Sequence, residues 1–156
     1  MLKDLKEVYS SFNSLENEEI TLQGWVRNHR KQKEIGFIDF NDGTSFKGAQ
    51  LVYDNSLADF DDIQKLHIGS AITVTGKLVK SLREEQLFEI VVKSIKLEGD
   101  CPEDYPIQPK RHTREFLREQ AYLRPRTNLF SAVFRVRSVA AMAIHEYFQN
   151  NGYVYA

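Results

Sequence analysis

Alternation of apolar and polar residues between positions 19 and 97 is the feature that most limits how this chain can fold. In the first stretch, E-I-T-L-Q-G-W-V-R-N-H-R, Ile20 and Leu22 fall on one side and Thr21 and Gln23 on the other. Successive side chains of a strand point to opposite faces, so this stretch is predicted to be a long strand with one buried face. Gly24 within it indicates a bulge or a bend.

Four further segments have the character of strands. The stretch I-G-F-I-D-F-N-D-G-T-S-F-K-G-A-Q-L-V-Y contains two of them around N-D-G, which is a strong hairpin signal. The segments A-I-T-V-T-G-K-L-V-K and L-F-E-I-V-V-K-S-I-K-L follow, separated by S-L-R-E-E-Q. Between the third and fourth strands we predict a helix that Ser56 and Asp59 cap and that ends near Gly69.

The order of these elements is three strands, a helix and two strands. A five-stranded barrel with a helix between strands 3 and 4 is the oligonucleotide-binding (OB) architecture. Because no long helices alternate with the strands, a doubly wound parallel sheet is excluded. We therefore predict a mostly β chain with an OB-fold barrel over residues 1–98, preceded within that range by a short amphipathic helix over residues 2–12.

The remainder of the chain has a different character. Residues 99–112 contain three of the four prolines and are predicted to be an extended linker. Residues 113–156 are predicted to hold a short helical segment from Thr113 and then a long helix with Thr127 as its N-cap. The apolar side of the long helix is broad, so we expect another chain or further sequence to cover it.

Residues on the predicted second and third strands point to single-stranded nucleic acid. An OB barrel binds single strands by stacking bases on aromatic rings and by placing cations near phosphates. Phe37 and Phe40 are an odd number of residues apart and must lie on opposite faces; we expect Phe37 to face outward. Arg27, Arg30 and Gln50 lie on neighbouring strands and can reach a phosphate or a base edge.

Gln86 and Glu89 lie where the last hairpin returns. Phosphates repel a carboxylate, so a binding role for Glu89 requires that it accept a hydrogen bond from a base amino or imino group. The alternative for all six candidate residues is that they are solvated side chains on a half-exposed sheet. After the linker, a cationic excess is available either to RNA or to carboxylates of another domain; it comprises Lys110, Arg111, Arg114, Arg118, Arg124 and Arg126.

Several classes of function are disfavoured by the sequence. A net charge of −1 argues against a nonspecific binder of duplex DNA. No nucleophile elbow, phosphate-binding loop or zinc-ligand spacing is present, so we predict no catalytic residues and no metal site. The start of the chain lacks the apolar core of a secretory signal, and no run is long enough to span a membrane, which predicts a cytoplasmic protein.

Several motifs resemble a known family. The stretches G-W-V-R-N-H-R, G-F-I-D-F-N-D-G and K-G-A-Q-L-V are similar to the anticodon-binding OB domain of the class IIb aminoacyl-tRNA synthetases. The stretches G-K-L-V-K-S-L-R-E-E-Q-L-F-E and Y-P-I-Q-P-K-R-H-T-R-E-F-L-R-E-Q-A-Y-L-R-P-R-T resemble the asparagine-specific members of that class. The resemblance covers essentially the whole chain, and L-R-P-R-T is a highly specific part of it.

The resemblance implies roles for individual residues. Phe37 would stack on the central anticodon base, a uridine, and Gln50 would read that base. Arg27 and Arg30 would belong to the basic segment of the first strand. Gln86 and Glu89 match a Q-x-x-E pattern of the asparagine enzymes. The long helix would be the motif 1 helix that forms a homodimer, with interface residues Phe130, Phe134, Arg135 and Val139.

The resemblance also sets expectations for the whole protein. Members of this family ligate the amino acid to tRNA through an adenylate and use ATP and Mg²⁺, which motifs 2 and 3 bind. The chain reaches Ala156 before the proline of motif 1, so we expect a truncated catalytic domain that binds no cofactor and is inactive alone. Two alternatives remain open: a stand-alone OB module that binds single strands or dimerises, and an aspartate enzyme with relaxed tRNA choice.

Overall fold

The computed structural model describes residues 2–156, which divide into two compact units with the boundary between Lys110 and Arg111. The elements of the first unit are α1 Leu5–Leu15, β1 Glu19–Lys31, β2 Ile35–Asn41, β3 Ala49–Asp54, α2 Phe60–Gln64, β4 Ala71–Lys80 and β5 Phe88–Gly99. The elements of the second unit are α3 Arg114–Glu119, a short 3₁₀ helix Arg124–Arg126 and α4 Asn128–Asn150. The domain limits 1–98, 99–112 and 113–156 stay predictions.

The five strands close into a barrel in the order β1-β2-β3-β5-β4. The contact between β3 and β5 is parallel and the other four contacts are antiparallel. The connection from β3 to β4 contains α2. The structure therefore confirms the predicted fold class, a mostly β chain with a five-stranded OB barrel, a helix between strands 3 and 4 and a long C-terminal helix.

Strand β1 is shared between two neighbours. Its first half, from Glu19 to Trp25, pairs with β4, and its second half, from Trp25 to Lys31, pairs with β2. A bulge interrupts the second half between Val26 and Asn28. The irregularity predicted at Gly24 thus lies a little further along the strand, where the chain turns from one partner to the other.

Gly24 has a different reason to be glycine. A Cβ atom at this position would lie 2.6 Å from Cζ of Phe40 and 2.7 Å from the carbonyl oxygen of Asn41. Both distances are shorter than van der Waals contact, and one of the two atoms belongs to the backbone of β2. The absence of a side chain therefore allows β1 and β2 to approach each other at the bend.

The barrel interior is filled by the residues that the alternation places inward. On β2 the pattern gives Ile38 and Phe40, which are 0% and 1% exposed. Helix α1 packs against the barrel core, where Phe12 stacks on Phe88 with their ring centroids 5.8 Å apart. The other members of this core include Leu5, Val8, Ile20, Leu22, Val26, Leu51, Tyr53, Ile72, Val74, Leu78 and Ile90.

Two local predictions differ from the structure. Helix α1 begins at Leu5, after the predicted start, because the Asp4 carboxylate caps it by accepting from the backbone N–H of Glu7 at 2.7 Å. The predicted pair of Ser56 and Asp59 does not cap α2, which makes that prediction wrong. Ser56 instead donates from its hydroxyl and its backbone N–H to Asp54, which closes a turn at the end of β3.

The second unit begins its helices as predicted. The Thr113 hydroxyl accepts from the N–H of Phe116, and the Thr127 hydroxyl accepts from the N–H of Phe130. The Arg124 guanidinium lies over the first turn of α4, 4.9 Å from the ring centroid of Phe130 and 5.6 Å from that of Phe134. Among residues 2–156, no helix combines the length and apolar composition that a membrane crossing requires.

The close approach at Gly24 predicts a loss of stability on substitution. We expect Gly24→Ala to lower the free energy of unfolding by about 1 to 3 kcal/mol, because the new methyl group must displace β2. Gly99→Ala is the matched control, since its Cβ would have nothing closer than the Ala71 Cβ at 4.0 Å. Urea unfolding of the two variants measures the difference, and equal stabilities would contradict the steric argument.

Candidate nucleic-acid interface

Four polar side chains form a row across the outer face of the barrel. The register places Asn28 of β1 opposite Asp39 of β2, Asp39 opposite Gln50 of β3, and Gln50 opposite Glu89 of β5. Adjacent strands lie about 4.8 Å apart, so each member of this polar row is within reach of the next. The polar row brings together two candidates from the sequence, Gln50 and Glu89, with two residues that the sequence did not single out.

A second row runs beside the first and contains the predicted stacking residue. Arg30 lies opposite Phe37, Phe37 opposite Val52, and Val52 opposite Val91. Phe37 is partly exposed while Ile38 beside it is buried, which confirms the outward orientation predicted for Phe37. This stacking row offers a cation, an aromatic ring and an apolar floor, which are the groups that accept a nucleobase.

Arg30 links the two rows. Its guanidinium carbon lies 5.4 Å from the centroid of the Phe37 ring. Its Nη2 donates to Oε1 of Gln50 at 3.4 Å and lies 3.6 Å from Oδ1 of Asp39. Side chains of Arg30 and Asp39 are each nearly half exposed, so their ion pair alone contributes little stability. The contacts nevertheless give the guanidinium one defined position on the face.

The side chains of Asn28 and Asp39 hold each other in position through a hydrogen bond. The Asn28 amide nitrogen donates to Oδ2 of Asp39 at 3.1 Å, and its amide oxygen accepts from the backbone N–H of His29 at 2.9 Å. Sequence reasoning missed the role of both residues. The signal was available, since Asp39 lies two positions from Phe37 on an alternating strand and must share its outer face.

Gln50 and Glu89 are held in different ways. Gln50 is only 4% exposed, which is unusual for an amide side chain on the outside of a barrel. The Glu89 carboxylate accepts from the Ser81 hydroxyl at 2.9 Å, and that hydroxyl accepts from the backbone N–H of Arg83 at 3.1 Å. The loop between β4 and β5 therefore sets the position of Glu89.

The structure does not bring the remaining candidates into the rows. Arg27 lies at the bulge, between Val26 and Asn28, where the register with β2 shifts. Gln86 lies in the loop between β4 and β5, where its backbone N–H donates to the carbonyl of Arg83. The roles implied for both residues stay predictions.

The four residues implied for a dimer interface do not share one side of α4. Phe130 and Phe134 are one turn apart, with their ring centroids 6.1 Å from each other, and Arg124 lies over both rings. Arg135 and Val139 are exposed. At about 100° per residue, Val139 lies roughly half a turn around the axis from Phe130.

A polar cluster lies on the opposite side of β1 from the two rows. The neutral imidazole of His29 has Nδ1 3.2 Å from the carbonyl oxygen of Leu66 and Nε2 2.7 Å from the Tyr53 hydroxyl. A carbonyl only accepts, so Nδ1 carries the proton and Nε2 accepts from Tyr53. Burial lowers the pKa of His29, and burial raises the pKa of Tyr53 to about 12. The cluster joins β1, β3 and the segment after α2.

A cavity of about 220 Å³ adjoins this cluster and is lined by His29, Lys31, Leu66, His67, Ile68, Pro102, Glu103 and Gln108. His67 in its wall lies 3.1 Å from Asp100. Within the described part of the chain, no group of three or more histidine, cysteine or acidic side chains is arranged to hold a metal ion. The cavity does not include a member of the polar row or of the stacking row.

Comparisons with known proteins identify the family of the barrel and relatives of the whole chain. Residues 20–98 match the family described as the OB-fold nucleic-acid-binding domain. The chain is 53% identical over 152 residues to an asparagine–tRNA ligase of Acholeplasma laidlawii, covering 97% of this chain and 33% of that protein. It is 50% identical over 151 residues to the ligase of Alkaliphilus oremlandii, with the same coverage of both chains. The chain thus spans about a third of the length of these relatives.

Solved structures show the same fold at lower identity. Asparaginyl-tRNA synthetase from Pyrococcus horikoshii superposes with a TM-score of 0.77 at 24% identity, covering 91% of this chain and 35% of that one. A putative aspartyl-tRNA synthetase from Leishmania major superposes with a TM-score of 0.84 at 15% identity, covering 100% of this chain and 34% of that one. At these identities the likeness shows that the fold is shared.

The stacking row predicts the effect of removing its ring. Phe37→Ala is expected to weaken binding of an anticodon stem-loop by about 1 to 3 kcal/mol, which is the usual loss for a base without its stacking partner. Phe46→Ala is the control, because Phe46 is an exposed ring in the loop between β2 and β3, outside both rows. Fluorescence anisotropy with a labelled RNA gives both affinities. Unchanged binding by a folded Phe37→Ala protein would remove Phe37 from the interface.

Proposed function

The chain belongs to the family of OB-fold nucleic-acid-binding domains, and from that premise we propose that its barrel recognises the anticodon of tRNA(Asn) within a longer asparagine–tRNA ligase. The observation that carries the proposal is that Arg30 contacts both the Phe37 ring and the Gln50 amide on the outer face of the barrel. The partly exposed ring supplies a platform for a base, and the amide supplies the groups that distinguish one base from another. The identity with asparagine–tRNA ligases supports the choice of tRNA.

The activity proposed for the whole protein follows from the same relatives. It would activate asparagine with ATP to an adenylate, release pyrophosphate, and transfer the amino acid to the terminal ribose of tRNA, with ATP and Mg²⁺ as cofactors. We assign neither cofactor to the residues described here and propose that residues 1–156 bind tRNA without catalysing ligation. We place this activity in the cytoplasm.

Identity with the ligases extends over 97% of the chain and includes the second unit as well as the barrel. A stand-alone single-strand-binding module would need only the barrel. The extent of the match therefore favours a synthetase, in which the barrel supplies recognition and the following segment leads toward the catalytic domain.

Anticodon recognition is tested with two RNA stem-loops at one fixed salt concentration. One carries the anticodon G-U-U, and the other has its central uridine replaced by cytidine. We expect the chain to bind the first about tenfold more tightly, since a well-placed side-chain pair discriminates a base by about 1 to 3 kcal/mol. Equal affinities would mean that charge alone holds the RNA and would overturn the proposal.

We further propose that α4 takes part in a homodimer. No residue of this helix is buried, and several large apolar side chains are more than half exposed. Val136 is 69% exposed and Val139 is 71% exposed. Apolar surface of this extent on one helix is typical of an interface. The side that carries Val139 is the better candidate, because Arg124 already lies over Phe130 and Phe134.

A charged substitution on that side tests the dimer. Val139→Glu is expected to convert a dimer of the 156-residue chain to a monomer, because it would bury a carboxylate in the interface. Ser138→Glu adds the same charge to the neighbouring exposed position and should leave the dimer intact. Analytical ultracentrifugation over a range of concentrations measures both. A chain that remains monomeric without any substitution would contradict the proposal.

A further inference from the structure

We propose that Asp39 is a specificity-determining residue that acts without touching RNA, by fixing Arg30 and through it the direction of the Gln50 amide. The inference rests on the proposed anticodon recognition and deepens it. It concerns the chain of contacts that begins at Asn28, passes through Asp39 and Arg30, and ends at Gln50.

The first step concerns the position of the guanidinium. Arg30 is nearly half exposed and, as a long side chain, loses rotamer entropy when it is held in one place. Asp39 lies within 3.6 Å of its Nη2, and Asn28 anchors Asp39 from the other side by donating at 3.1 Å. Asn28 is itself held by a hydrogen bond from the backbone of β1. The position of Arg30 therefore depends on contacts that end at the backbone of this strand.

The second step concerns the amide of Gln50. An arginine carries only donors, so the atom of Gln50 that faces Arg30 must be the carbonyl oxygen, Oε1. The amide nitrogen is then turned away from Arg30. It makes no hydrogen bond with the described residues. It is also not fully enclosed, because Nε of Arg124 is the one fully enclosed side-chain nitrogen or oxygen in residues 2–156 that lacks a hydrogen bond. The Gln50 amide nitrogen therefore keeps some accessible surface although the residue is only 4% exposed, and its N–H groups are the donors that Gln50 can offer a ligand.

The third step concerns the base. Uracil presents a carbonyl oxygen where cytosine presents an amino group. A Gln50 amide held with its nitrogen outward offers donors, which pair with the carbonyl of uracil and oppose the amino group of cytosine. An amide free to rotate by half a turn would offer its oxygen equally well and would accept cytosine. Fixing the amide therefore produces the discrimination between the two pyrimidines.

Asp39 itself is suited to positioning rather than to contact with RNA. A carboxylate is repelled by phosphates, and both of its oxygens face protein donors, Oδ1 toward Arg30 and Oδ2 toward Asn28. Its removal should consequently change selectivity more than affinity. This separates Asp39 from Phe37, whose loss is expected to weaken binding of every base that stacks on the ring.

The experiment compares Asp39→Ala and Asp39→Asn with the unsubstituted chain, using the stem-loops with central uridine and central cytidine. Asp61→Ala is the charge-matched control, because Asp61 is an exposed carboxylate on α2, outside both rows. We expect the ratio of the two affinities to fall from about tenfold to below about threefold in Asp39→Ala, as the cytidine stem-loop gains relative to the uridine one. Asp61→Ala should keep the full ratio.

Asp39→Asn keeps the shape of the side chain and one acceptor. Its ratio of uridine to cytidine affinity should therefore lie between that of the unsubstituted chain and that of Asp39→Ala. This variant also decides the matter if Asp39→Ala does not fold. A further variant, Gln50→Glu, replaces the outward donors by an acceptor and should reverse the preference toward cytidine.

The outcomes separate this inference from the proposed function. If the unsubstituted chain prefers uridine and both Asp39 variants keep the same ratio, Asp39 does not set specificity, while anticodon recognition stands. If the unsubstituted chain shows no preference, anticodon recognition fails and the role of Asp39 fails with it. A graded loss of preference in the Asp39 variants, with the full ratio kept by the charge control Asp61→Ala, supports the inference.

Discussion

The extra residue in β1 decides which side chains of that strand reach the outer face. Ile20, Leu22 and Val26 face inward, and strict alternation would send Arg30 inward after them. The bulge at Arg27 reverses the pattern, so that His29 turns toward the buried Tyr53 while Arg30 turns outward to Phe37. Both the stacking row and the polar row depend on this single irregularity, because each has its first member beyond the bulge.

Most of the fold could be predicted because it follows from short-range patterns. Successive side chains of a strand alternate between the two faces, which puts Phe37 outside and Ile38 inside. Threonine N-caps mark the residues at which α3 and α4 begin. The capping of α2 could not be predicted in this way, because Ser56 has two acidic neighbours and selects Asp54 through a turn that only the end of β3 creates. When a hydroxyl has two acidic neighbours that could accept its hydrogen bond, the tertiary structure decides which of them does so.

The candidate site shows the same division. Phe37 and Gln50 could be proposed as candidates from the sequence because an aromatic ring and an amide on neighbouring strands are able to stack on a base and to hydrogen-bond with it. The spacing of Asp39 from Phe37 was enough to place it on the outer face, but its pairing with Asn28 could not be predicted, because that pairing depends on the register between β1 and β2. A bulge shifts that register by one residue, and the sequence indicated an irregularity at Gly24 but not its position at Arg27. The contacts among side chains across strands are therefore the part that required the structure.

Sharing β1 between two neighbours also affects the order in which the barrel can assemble. The pairing of β1 with β2 and of β2 with β3 joins segments that are close in the chain. The pairing of Glu19 with Lys77, in contrast, joins β1 to β4, which is far from it in the chain. Loop closure over that distance carries an entropic cost that slows folding. The three-stranded meander carries Phe37, Arg30 and Gln50, so most of the binding face belongs to strands that leave the ribosome before β4 and β5. We expect barrel closure to follow, since Glu89 of β5 completes the polar row by pairing with Gln50 of β3.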